Sequence, residues 1–315
     1  MSTRPYRPGI PADILALSQE RDLLRRRGHY DRADQLKQRI EQAGYLVKDN
    51  PHGAHLVILP SIEVDHTIYR TARDLPSLLD EPDTCTFSVN LLARNNQDEL
   101  RRCIESILRF AGSHTFEIVV VDNASRDEAD PWIEERKKQD ARIRVLRATR
   151  MMGIAEARNL GLQQSQGRYI LLLDSNVELS GDIFTPLAKA LASDDVGLAG
   201  PCGLLTDDLR HFEESERSEV EAIAGFCLAC KRSLLSEAGL FDERFRYAHF
   251  MDIDFNFALR ELGVQARRTP DLPLISHPSS AEADLSDAER TRQHKRNFYR
   301  FLEKWGDRDD LLLEE

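Results

Sequence analysis

The sequence predicts an α/β fold built on a mostly parallel sheet with helices on both faces. From residue 85 onward, short apolar runs typical of buried strands alternate with segments of helical periodicity. The clearest run, RYILLLDSNVEL at 168–179, has five consecutive apolar residues and then a polar triplet, Asp174, Ser175 and Asn176. A run this short, between a glycine and polar residues, is typical of a central strand buried on both faces. The triplet would follow the carboxyl end of that strand, where open α/β sheets bind their ligands.

Residues 1–59 are predicted to form a small helical hairpin followed by a β-hairpin. One helix begins near Pro11 and ends at Gly28, and a second runs from about Asp31 to Ala43. The stretch YLVKDNPHGAHLVIL then predicts strand, turn and strand, with Pro51 in the turn. The apolar positions of each helix are compatible with one stripe: Ile14, Leu17, Leu23 and Leu24 in the first, and Ala33, Leu36, Ile40 and Ala43 in the second.

The rest of the chain divides into a connector, a main domain and a terminal helix. Residues 60–84, which contain Pro60, are predicted to be a connector with one short helix around Ser77 to Leu79. The main domain is expected over residues 85–280, where strands TFSVNLLARNN, FEIVVVDNAS and IRVLRA alternate with helices before the central strand. Residues 281–315 are predicted to be a C-terminal helix and a frayed tail, with a packing face on the helix: Phe298, Phe301 and Leu302.

Composition predicts a globular protein without an integral membrane segment. Charged residues make up 31% of the 315 residues and hydrophobic ones 41%, and no apolar stretch is long enough to cross a bilayer. The start, MSTRPYRPGI, lacks the apolar run of a secretory signal, so we expect a cytoplasmic protein. Five cysteines lie mostly in apolar surroundings, which is typical of reduced thiols. Cys227 and Cys230 form a CxxC, but without a second pair a zinc or redox role is not indicated.

Charge argues against nucleic acid as a partner of the main domain. The net charge is −11, but residues 1–50 hold ten Lys and Arg against seven Asp and Glu. That balance of +3 leaves −14 for the remainder of the chain. A domain this acidic is a poor candidate for binding a polyanion, so only the N-terminal segment could contact nucleic acid.

A carboxylate at the end of a buried strand has two interpretations. Asp174 can hold a divalent metal or a ribose hydroxyl in the crevice above the sheet. It can equally be a turn former or the N-cap of a following helix. The residue alone does not decide between them.

Six motifs of the main domain resemble one enzyme family when they are taken in order. They are VDNAS, GIAEARNLG, ILLLDSNVEL, GFCLACKRSLLSEAGLFDERF, MDIDFNFALRELG and ISH. Over residues 85–280 they resemble glycosyltransferase family 2, whose members are inverting enzymes with the GT-A fold. The resemblance implies a GT-A type, Rossmann-like sheet and a nucleotide-sugar donor. Such a reaction needs neutralising groups against the leaving diphosphate and a carboxylate base for the acceptor hydroxyl.

The resemblance implies a donor site at the strand ends. Asp122 matches the family residue that hydrogen-bonds the nucleotide base, and a carboxylate there can accept the imide N–H of uracil or thymine. Asn95 is the residue of the ARN triplet at 93–95 that follows the family pattern around the base. Arg158 matches an arginine that approaches the nucleotide, with a solvated helix face as the alternative. Gly225 matches a glycine that lets the backbone approach the donor sugar or the acceptor.

The polar triplet stands where the family has its DxD motif. The resemblance implies that Asp174 and Ser175 face the donor. It also implies a divalent metal, Mn²⁺ or Mg²⁺, held by Asp174, Asn176 and His277. Because the last carboxylate of the motif is an amide here, one negative charge is lost. We therefore expect weak metal affinity or an unusual metal dependence.

The catalytic base is expected in MDIDFNFALRELG. Asp252 matches the carboxylate of the family's ED-containing segment, and Met251 replaces the usual Glu. Asp254, in the same first helical turn, instead suits a role in complementing the helix dipole. Tyr247 and His249 precede the base and could line the acceptor pocket.

The N-terminal segment carries a second resemblance. Over residues 10–59, ERDLLRRRGHYDRADQLKQRIEQAG and a DNPHG turn resemble the small C-terminal segment of cysteinyl-tRNA synthetases. An RNA-binding appendage and a hairpin for packing or self-association into a homo-oligomer are both open. The balance of +3, without an aromatic stacking platform, favours the second.

The expected function is an inverting glycosyltransferase that uses a UDP- or dTDP-sugar. Its hydroxyl acceptor is open, whether saccharide, lipid-linked sugar, peptide or small molecule. The missing metal carboxylate and the missing Glu before the base are also features of a catalytically impaired sugar-nucleotide binding protein. An RNA-associated protein, through the N-terminal hairpin, is the other alternative.

Overall fold

The computed structural model of the protein describes residues 10–50, 53–59, 61–65, 67–125, 131–247, 249–278 and 287–313. The chain divides into a small unit, Met1–Asp74 with Ala148–Arg150, and a large unit, Leu75–Arg147 with Met151–Glu315. Pro51 in the predicted turn, Pro60 in the predicted connector and the start of the chain lie outside the described residues.

The small unit contains the predicted helical hairpin and β-hairpin. Helix α1 spans Ala12–Arg26 and α2 spans Tyr30–Gln42. Strand β1, Tyr45–Asn50, pairs antiparallel with β2, Gly53–Ile58. A second hairpin was not predicted, and part of the expected connector therefore has regular structure. It consists of β3, Ile62–Val64, and β4, Thr67–Tyr69, and a 3-10 helix follows at Ala72–Asp74.

Helix α1 packs through part of the predicted stripe, at Ile14 and Leu17, but not through Leu23. Its buried residues are Ile14, Ser18 and Arg21, whereas Leu23 is 47% exposed. Two residues turn a helix by about 200°, so Leu23 points away from the side that Arg21 buries. The Arg21 guanidinium donates to both carboxylate oxygens of Asp49 in β1, at 2.8 and 2.9 Å. The predicted place of Leu23 in the packed stripe is therefore wrong, and the ion pair joins α1 to the β-hairpin in addition to the apolar contact of Ile14 with that hairpin.

Residues 75–84 belong to the large unit and do not form the short helix predicted at 77–79. The buried side chain of Arg232 donates to the carbonyl oxygens of Leu78 and Glu81, at 2.8 and 2.6 Å. These side-chain bonds satisfy carbonyl groups that would otherwise need partners within a helix. The segment is consequently held as irregular chain.

The large unit is the predicted α/β domain. Its parallel core consists of β5, Cys85–Ala93, β6, Phe116–Asn123, β7, Ile143–Ala148, and the central strand β8, Gly167–Leu173. The later strands are β9, Val177–Leu179, β10, Val196–Gly200, β11, Gly203–Leu205, β12, Glu213–Ser215, β13, Glu219–Val220, β14, Ala222–Ile223, β15, Cys227–Lys231, β16, Gln265–Arg268, and β17, Leu274–Ser276. The helices are α3, Gln97–Phe110, α4, Pro131–Gln139, α5, Ile154–Gln163, α6, Phe184–Leu191, α7, Leu235–Ala238, α8, Met251–Arg260, and α9, Asp287–Trp305.

The described strands of this unit form a mostly parallel sheet in the order β13-β16-β10-β15-β8-β5-β6-β7. Strand β5 is parallel to β6 and to β8, and β10 is parallel to β16. Strand β15 is antiparallel to both of its neighbours, β8 and β10. The remaining described strands of this unit form two small sheets, with the strand orders β12-β11-β14 and β17-β9.

Strand β8 is buried on both faces, as its apolar run predicts. Leu171 and Leu173 pack into the core on one side of the sheet, and Ile170 and Leu172 into the core on the other. The two cysteines of the CxxC divide in the same way: Cys227 lies in the first core and Cys230 in the second. Burial raises the pKa of each thiol to about 12. Thiols on opposite faces of a strand cannot bind one metal together.

The helices within the described ranges include none with both the length and the apolar composition that a bilayer span requires.

Candidate active site

The carboxyl ends of three parallel strands meet at one edge of the large sheet. The last residue of β5, Ala93, is opposite Asp122 in β6. Strand β8 ends at Leu173, directly before Asp174. The antiparallel β15 begins at the same edge, because Cys227 pairs with Leu173. Asp122, Asp174 and the chain that precedes β15 therefore share this edge, which is where the sequence predicts the ligand site.

Asp174 and Asp252 are both bound by one dipeptide, Gly225-Phe226. The N–H of Asp174 donates to the Phe226 carbonyl oxygen at 2.9 Å. The N–H of Gly225 donates to Asp252 Oδ2 at 2.8 Å. Two acidic residues from separate segments are thus brought to the same end of the sheet.

Gly225 leaves the space that the Asp252 carboxylate occupies. A Cβ atom at Gly225 would lie 2.8 Å from Asp252 Cβ and 2.9 Å from Oδ2. Carbon atoms in favourable contact stay about 3.5 to 4.0 Å apart. The family resemblance implies that Gly225 lets the backbone approach the donor sugar or the acceptor, which stays a prediction. In the structure the group that lies against Gly225 is the side chain of Asp252.

Arg158 lies under the polar triplet and not on a solvated helix face. Its side chain, on α5, is only 8% exposed, and Nη2 donates to Asp174 Oδ1 at 2.6 Å. Its Nη1 also donates to the Asn90 carbonyl oxygen at 3.2 Å. Asp174 itself remains 43% exposed. The guanidinium therefore orients the carboxylate and pairs its negative charge while leaving it accessible.

Two asparagines that follow β5 form hydrogen bonds with loops at the same edge of the sheet. Asn95 has a left-handed backbone with φ +53°, and its N–H donates to Ser125 Oγ at 3.2 Å. Asn96, which was not predicted as a site residue, donates from Nδ2 to Ser175 Oγ at 2.5 Å. The buried Ser175 hydroxyl therefore helps to fix the loop that carries Asp174, and Asn95 tolerates the backbone conformation that this turn needs.

Asp122 lines an open cleft. Its Oδ1 accepts the N–H of Ser125 at 3.0 Å. The walls combine apolar and polar side chains, as a flat nucleobase with polar edges requires. The walls include Leu100, Ile133, Val145, Asn96 and Arg147. Arg147 was not predicted as a site residue, and it donates from Nη2 to Glu134 Oε1 at 2.5 Å.

His277 meets Asn176 because β17 pairs with β9. The Asn176 Nδ2 group donates to the His277 carbonyl oxygen at 2.6 Å, and the His277 N–H donates to the Asn176 carbonyl oxygen at 3.0 Å. The imidazole Nε2 lies 2.8 Å from Glu178 Oε2. The structure brings Asn176 and His277 together, and their predicted role as metal ligands stays a prediction. The carboxylate of Glu178 beside them was not predicted.

Asp252 lies in the first turn of α8, and buried side chains of the same helix fix the position of that turn. Asn256, one turn later and fully buried, donates from Nδ2 to the carbonyl oxygens of Asp252 and Ile223, at 2.8 and 3.0 Å. Its Oδ1 accepts the N–H of Ile223 at 2.8 Å. Met251, which replaces the expected Glu, is buried in the core. Asn256 therefore ties the helix that carries Asp252 to the strand just before Gly225.

Asp254 points away from the site and anchors the C-terminal helix. Its Oδ1 accepts hydrogen bonds from Lys304 Nζ at 2.9 Å and Trp305 Nε1 at 2.8 Å. Burial raises the pKa of this carboxyl above its usual range, while Lys304 and Trp305 oppose the rise. The non-catalytic role expected for Asp254 agrees with this position, although its partners lie on α9. His249 is exposed, and its ring centroid lies 5.1 Å from that of His294.

The sequence profile described as Glycosyl transferase family 2 matches residues 88–253, more than half of the chain. The protein belongs to this family. The match includes Asp122, Arg158, Asp174, Gly225 and Asp252.

Three curated relatives of this family 2 protein are 26–28% identical to it over the aligned residues. An uncharacterized protein, y4gI of Sinorhizobium fredii, is 26% identical over 256 residues, which cover 72% of this chain and 28% of the relative. The glycosyltransferase GlyG of Streptococcus pneumoniae is 26% identical over 181 residues, which cover 56% of this chain and 57% of the relative. The chain thus spans less than two thirds of the length of these two relatives. The Escherichia coli protein WfaP, named as a UDP-Glc:alpha-D-GlcNAc-diphosphoundecaprenol beta-1,3-glucosyltransferase, is 28% identical over 58% of this chain and 73% of its own length.

Solved glycosyltransferase structures share the fold of this family 2 chain. GalNAc-T7 with UDP, GalNAc and Mn²⁺ has a TM-score of 0.60 at 18% identity, covering 72% of this chain and 49% of that protein. The Pyrobaculum calidifontis mannosyltransferase PcManGT with GDP-Man and Mn²⁺ has a TM-score of 0.54 at 20% identity, covering 76% and 73%. At such low identity the similarity supports the GT-A fold alone. These comparisons do not show the resemblance to cysteinyl-tRNA synthetases, which stays a prediction.

The side chains predicted to bind a metal ion in this family 2 protein do not form a metal site by themselves. The described part of the chain has no cluster of three or more His, Cys, Asp or Glu placed to hold a metal ion. Asp174 is paired with Arg158, the Asn176 amide nitrogen faces the His277 carbonyl, and the His277 imidazole is paired with Glu178. A hard divalent cation prefers several oxygen ligands with negative charge, and this arrangement supplies only one carboxylate from the DxD-like motif.

Proposed function

We propose that the protein is an inverting glycosyltransferase that moves a sugar from a nucleoside diphosphate donor to a hydroxyl acceptor. The observation that carries the proposal is the 2.8 Å hydrogen bond from the Gly225 N–H to Asp252 Oδ2, beside the Phe226 carbonyl that binds Asp174. A fixed carboxylate next to a second acidic residue, at the ligand edge of an α/β sheet, suits a base that acts on one substrate beside the binding site of another.

The chemistry assigns a separate task to each acidic residue. The acceptor hydroxyl oxygen bonds to the anomeric carbon on the face opposite the diphosphate, and the bond from that carbon to the phosphate oxygen breaks. The electron pair of the broken bond leaves with the nucleoside diphosphate, and the hydroxyl proton passes to Asp252. Asp174, with Ser175 beside it, faces the donor, and a single displacement inverts the anomeric configuration.

We assign a UDP- or dTDP-sugar as the donor from the chemistry of Asp122. An ionised carboxylate only accepts hydrogen bonds, so it can pair with the imide N–H of uracil or thymine. The N1–H of guanine could pair with it as well, and the choice of uracil or thymine follows the family resemblance. The apolar walls around Asp122 suit a stacked base. The name of WfaP specifies UDP-Glc and GalNAc-T7 was solved with UDP, whereas PcManGT was solved with GDP-Man.

We propose that a divalent cation binds this site weakly. Two related folds were solved with Mn²⁺, but the motif here has a single carboxylate, and that carboxylate is paired with Arg158. No step of the proposed reaction is assigned to the cation. The hydroxyl acceptor, a cytoplasmic location and self-association through the N-terminal hairpin stay as predicted from the sequence.

A sugar-nucleotide binding protein without turnover is the second candidate. Two observations favour it: the motif ends in Asn176, whose amide nitrogen is engaged by the His277 carbonyl, and the Glu expected before the base is a buried Met251. Such a protein would keep the cleft at Asp122 and bind a donor without releasing its sugar.

Binding and turnover separate the two candidates. A thermal-shift screen of nucleotide sugars, with and without Mn²⁺, identifies the donor, because a ligand that binds only the folded state raises Tm. Release of the nucleoside diphosphate from that donor then measures turnover. We expect Asp252→Asn to keep the Tm shift and to lower turnover at least about 100-fold, while the exposed control Glu243→Gln keeps both. Donor binding without turnover in the unmodified protein would establish the second candidate instead.

A further inference from the structure

Two consecutive residues before α8 adopt a strained backbone. His249 has φ +66° and Phe250 has φ +60°. The left-handed region is sterically disfavoured for residues with a Cβ atom, and such residues persist only where the surrounding structure holds them. The strained pair lies directly before Met251, where α8 begins, and Asp252 is the next residue. Whatever holds this pair therefore sets the direction in which the first turn of α8 leaves the loop.

The side chain that holds the strained turn is Asn297, on α9. Its Nδ2 group donates to the carbonyl oxygens of Tyr247 and His249, each at 3.1 Å. The amide has two N–H bonds, so one group can serve both carbonyls. The Asn297 side chain is 1% exposed, so replacing it would remove two buried hydrogen-bond donors from these carbonyls, at a cost in free energy.

Aromatic packing from the same helix holds the other strained residue. The ring of Phe250 lies 5.5 Å from that of Phe298 and 5.4 Å from that of Phe301, measured between centroids. Both partners are on α9, one and four residues after Asn297. A single face of α9 thus supplies the polar and the apolar support for the turn.

We propose that Asn297 is a positioning residue for Asp252 and that α9 is needed for catalysis although it lies beyond the family match. The chain of contacts runs from Asn297 to the Tyr247 and His249 carbonyls, then through the strained turn to the first residues of α8. At its far end the Asp252 carboxylate meets the Gly225 N–H at 2.8 Å. The inference rests on the proposed function, because it assigns Asp252 as the base.

The position of Asn297 explains why it acts on the rate and not on donor binding. Its contacts are with the turn before α8, whereas the groups assigned to the donor, Asp122 and Asp174, lie at the carboxyl ends of strands β6 and β8. Loss of the Asn297 amide frees the turn to relax toward a commoner backbone, which moves Asp252 relative to Gly225. A displacement near 1 Å at a reacting group lowers the rate by about 100-fold.

The test compares Asn297→Ala with Tyr299→Ala, a control on the exposed face of the same helix. We expect Asn297→Ala to lower kcat by about 100-fold with the donor KM and the Kd of free UDP within about twofold of the unmodified protein. Asn297→Ser retains one O–H donor and should give an intermediate kcat. The Tyr299 variant should match the unmodified protein. If Asn297→Ala proves unfolded by circular dichroism, the Ser variant carries the comparison.

A double-mutant cycle distinguishes positioning from a general loss of structure. If Asn297 acts through Asp252, its replacement should lower kcat no further in the Asp252→Asn background. An equal fall in both backgrounds, or a folded Asn297→Ala protein with the kcat of the Tyr299 control, would overturn the inference while leaving the function intact. Absence of turnover in the unmodified protein with every nucleotide sugar would instead overturn the proposed function.

Discussion

Replacing Gly225 with alanine tests the geometry on which the proposed mechanism depends. The added Cβ would lie 2.8 Å from Asp252 Cβ and 2.9 Å from Oδ2. Reaching a normal carbon–carbon separation of about 3.5 Å requires the two groups to part by about 0.7 Å. Because Gly225 precedes the paired strand β15, we expect the side chain of Asp252 and the first turn of α8 to move instead.

The displacement predicts a large loss of rate and a modest loss of stability. A shift approaching 1 Å in the base lowers kcat by about 30- to 100-fold. Overpacking of this kind lowers the free energy of unfolding by about 1–3 kcal/mol. Release of the nucleoside diphosphate measures the first effect, and urea unfolding followed by circular dichroism measures the second.

Gly197→Ala is the matched control for overpacking without contact to Asp252. Gly197 lies in strand β10 of the same sheet. A Cβ atom there would lie 2.3 Å from Val264 Cγ2. We expect this variant to lose a similar amount of stability and to keep the kcat of its folded fraction. A folded Gly225→Ala protein with kcat within twofold of the unmodified chain, or equal losses of kcat in both variants, would refute the assignment of Asp252.

Two further predictions concern single side chains, and a third concerns the N-terminal segment. Asn176→Asp restores a second carboxylate to the motif and should tighten Mn²⁺ binding in the presence of UDP by about tenfold, measured by calorimetry; unchanged affinity would contradict the assigned place of Asn176. Burial raises the pKa of Asp254 above 3.8 in the folded protein, so the folded state holds this proton more tightly. The free energy of unfolding of the unmodified chain should therefore fall relative to that of Asp254→Asn as pH rises from about 4 through the raised pKa. Urea unfolding at a series of pH values measures this difference. A difference that stays constant with pH would contradict the raised pKa of Asp254. In a filter assay at 150 mM salt, about physiological ionic strength, the intact chain should not bind tRNA saturably. Saturable binding that is lost on deletion of residues 1–59 would establish the RNA-associated alternative.

The elements that the sequence predicts correctly are those with a long, regular hydrophobic pattern. Strand β8 has five apolar residues in a row that pack on both sides of the sheet. The predicted packing face of α9 is also confirmed, since Phe301 is buried and Phe298 packs against the same core. The short strands β11 to β14 have two or three residues each, so no period can be read from them.

The candidate site is predictable only where a residue lies beside a recognisable strand end or motif. Asp122 lies near the end of a strand, Asp174 follows one and Asp252 lies in a motif, so sequence reasoning singles out all three as candidates. Asn256 and Asn297 are single amides within helices, and their roles arise from carbonyl groups 33 and about 50 residues away. A buried asparagine within a helix is the only signal that could have marked them, and burial is itself a product of tertiary packing.

The different surroundings of Asp174 and Asp252 favour different tasks for two residues bound by one dipeptide. Asp174 has its negative charge paired at 2.6 Å with the buried guanidinium of Arg158, which suits a group that orients polar atoms of the donor. Asp252 is held by backbone N–H groups of Gly225 and Ile253, which carry no net charge. Its negative charge is therefore available to draw a proton from the acceptor hydroxyl. The partners of each carboxylate, together with the family motif, therefore support the proposal that Asp252 is the base.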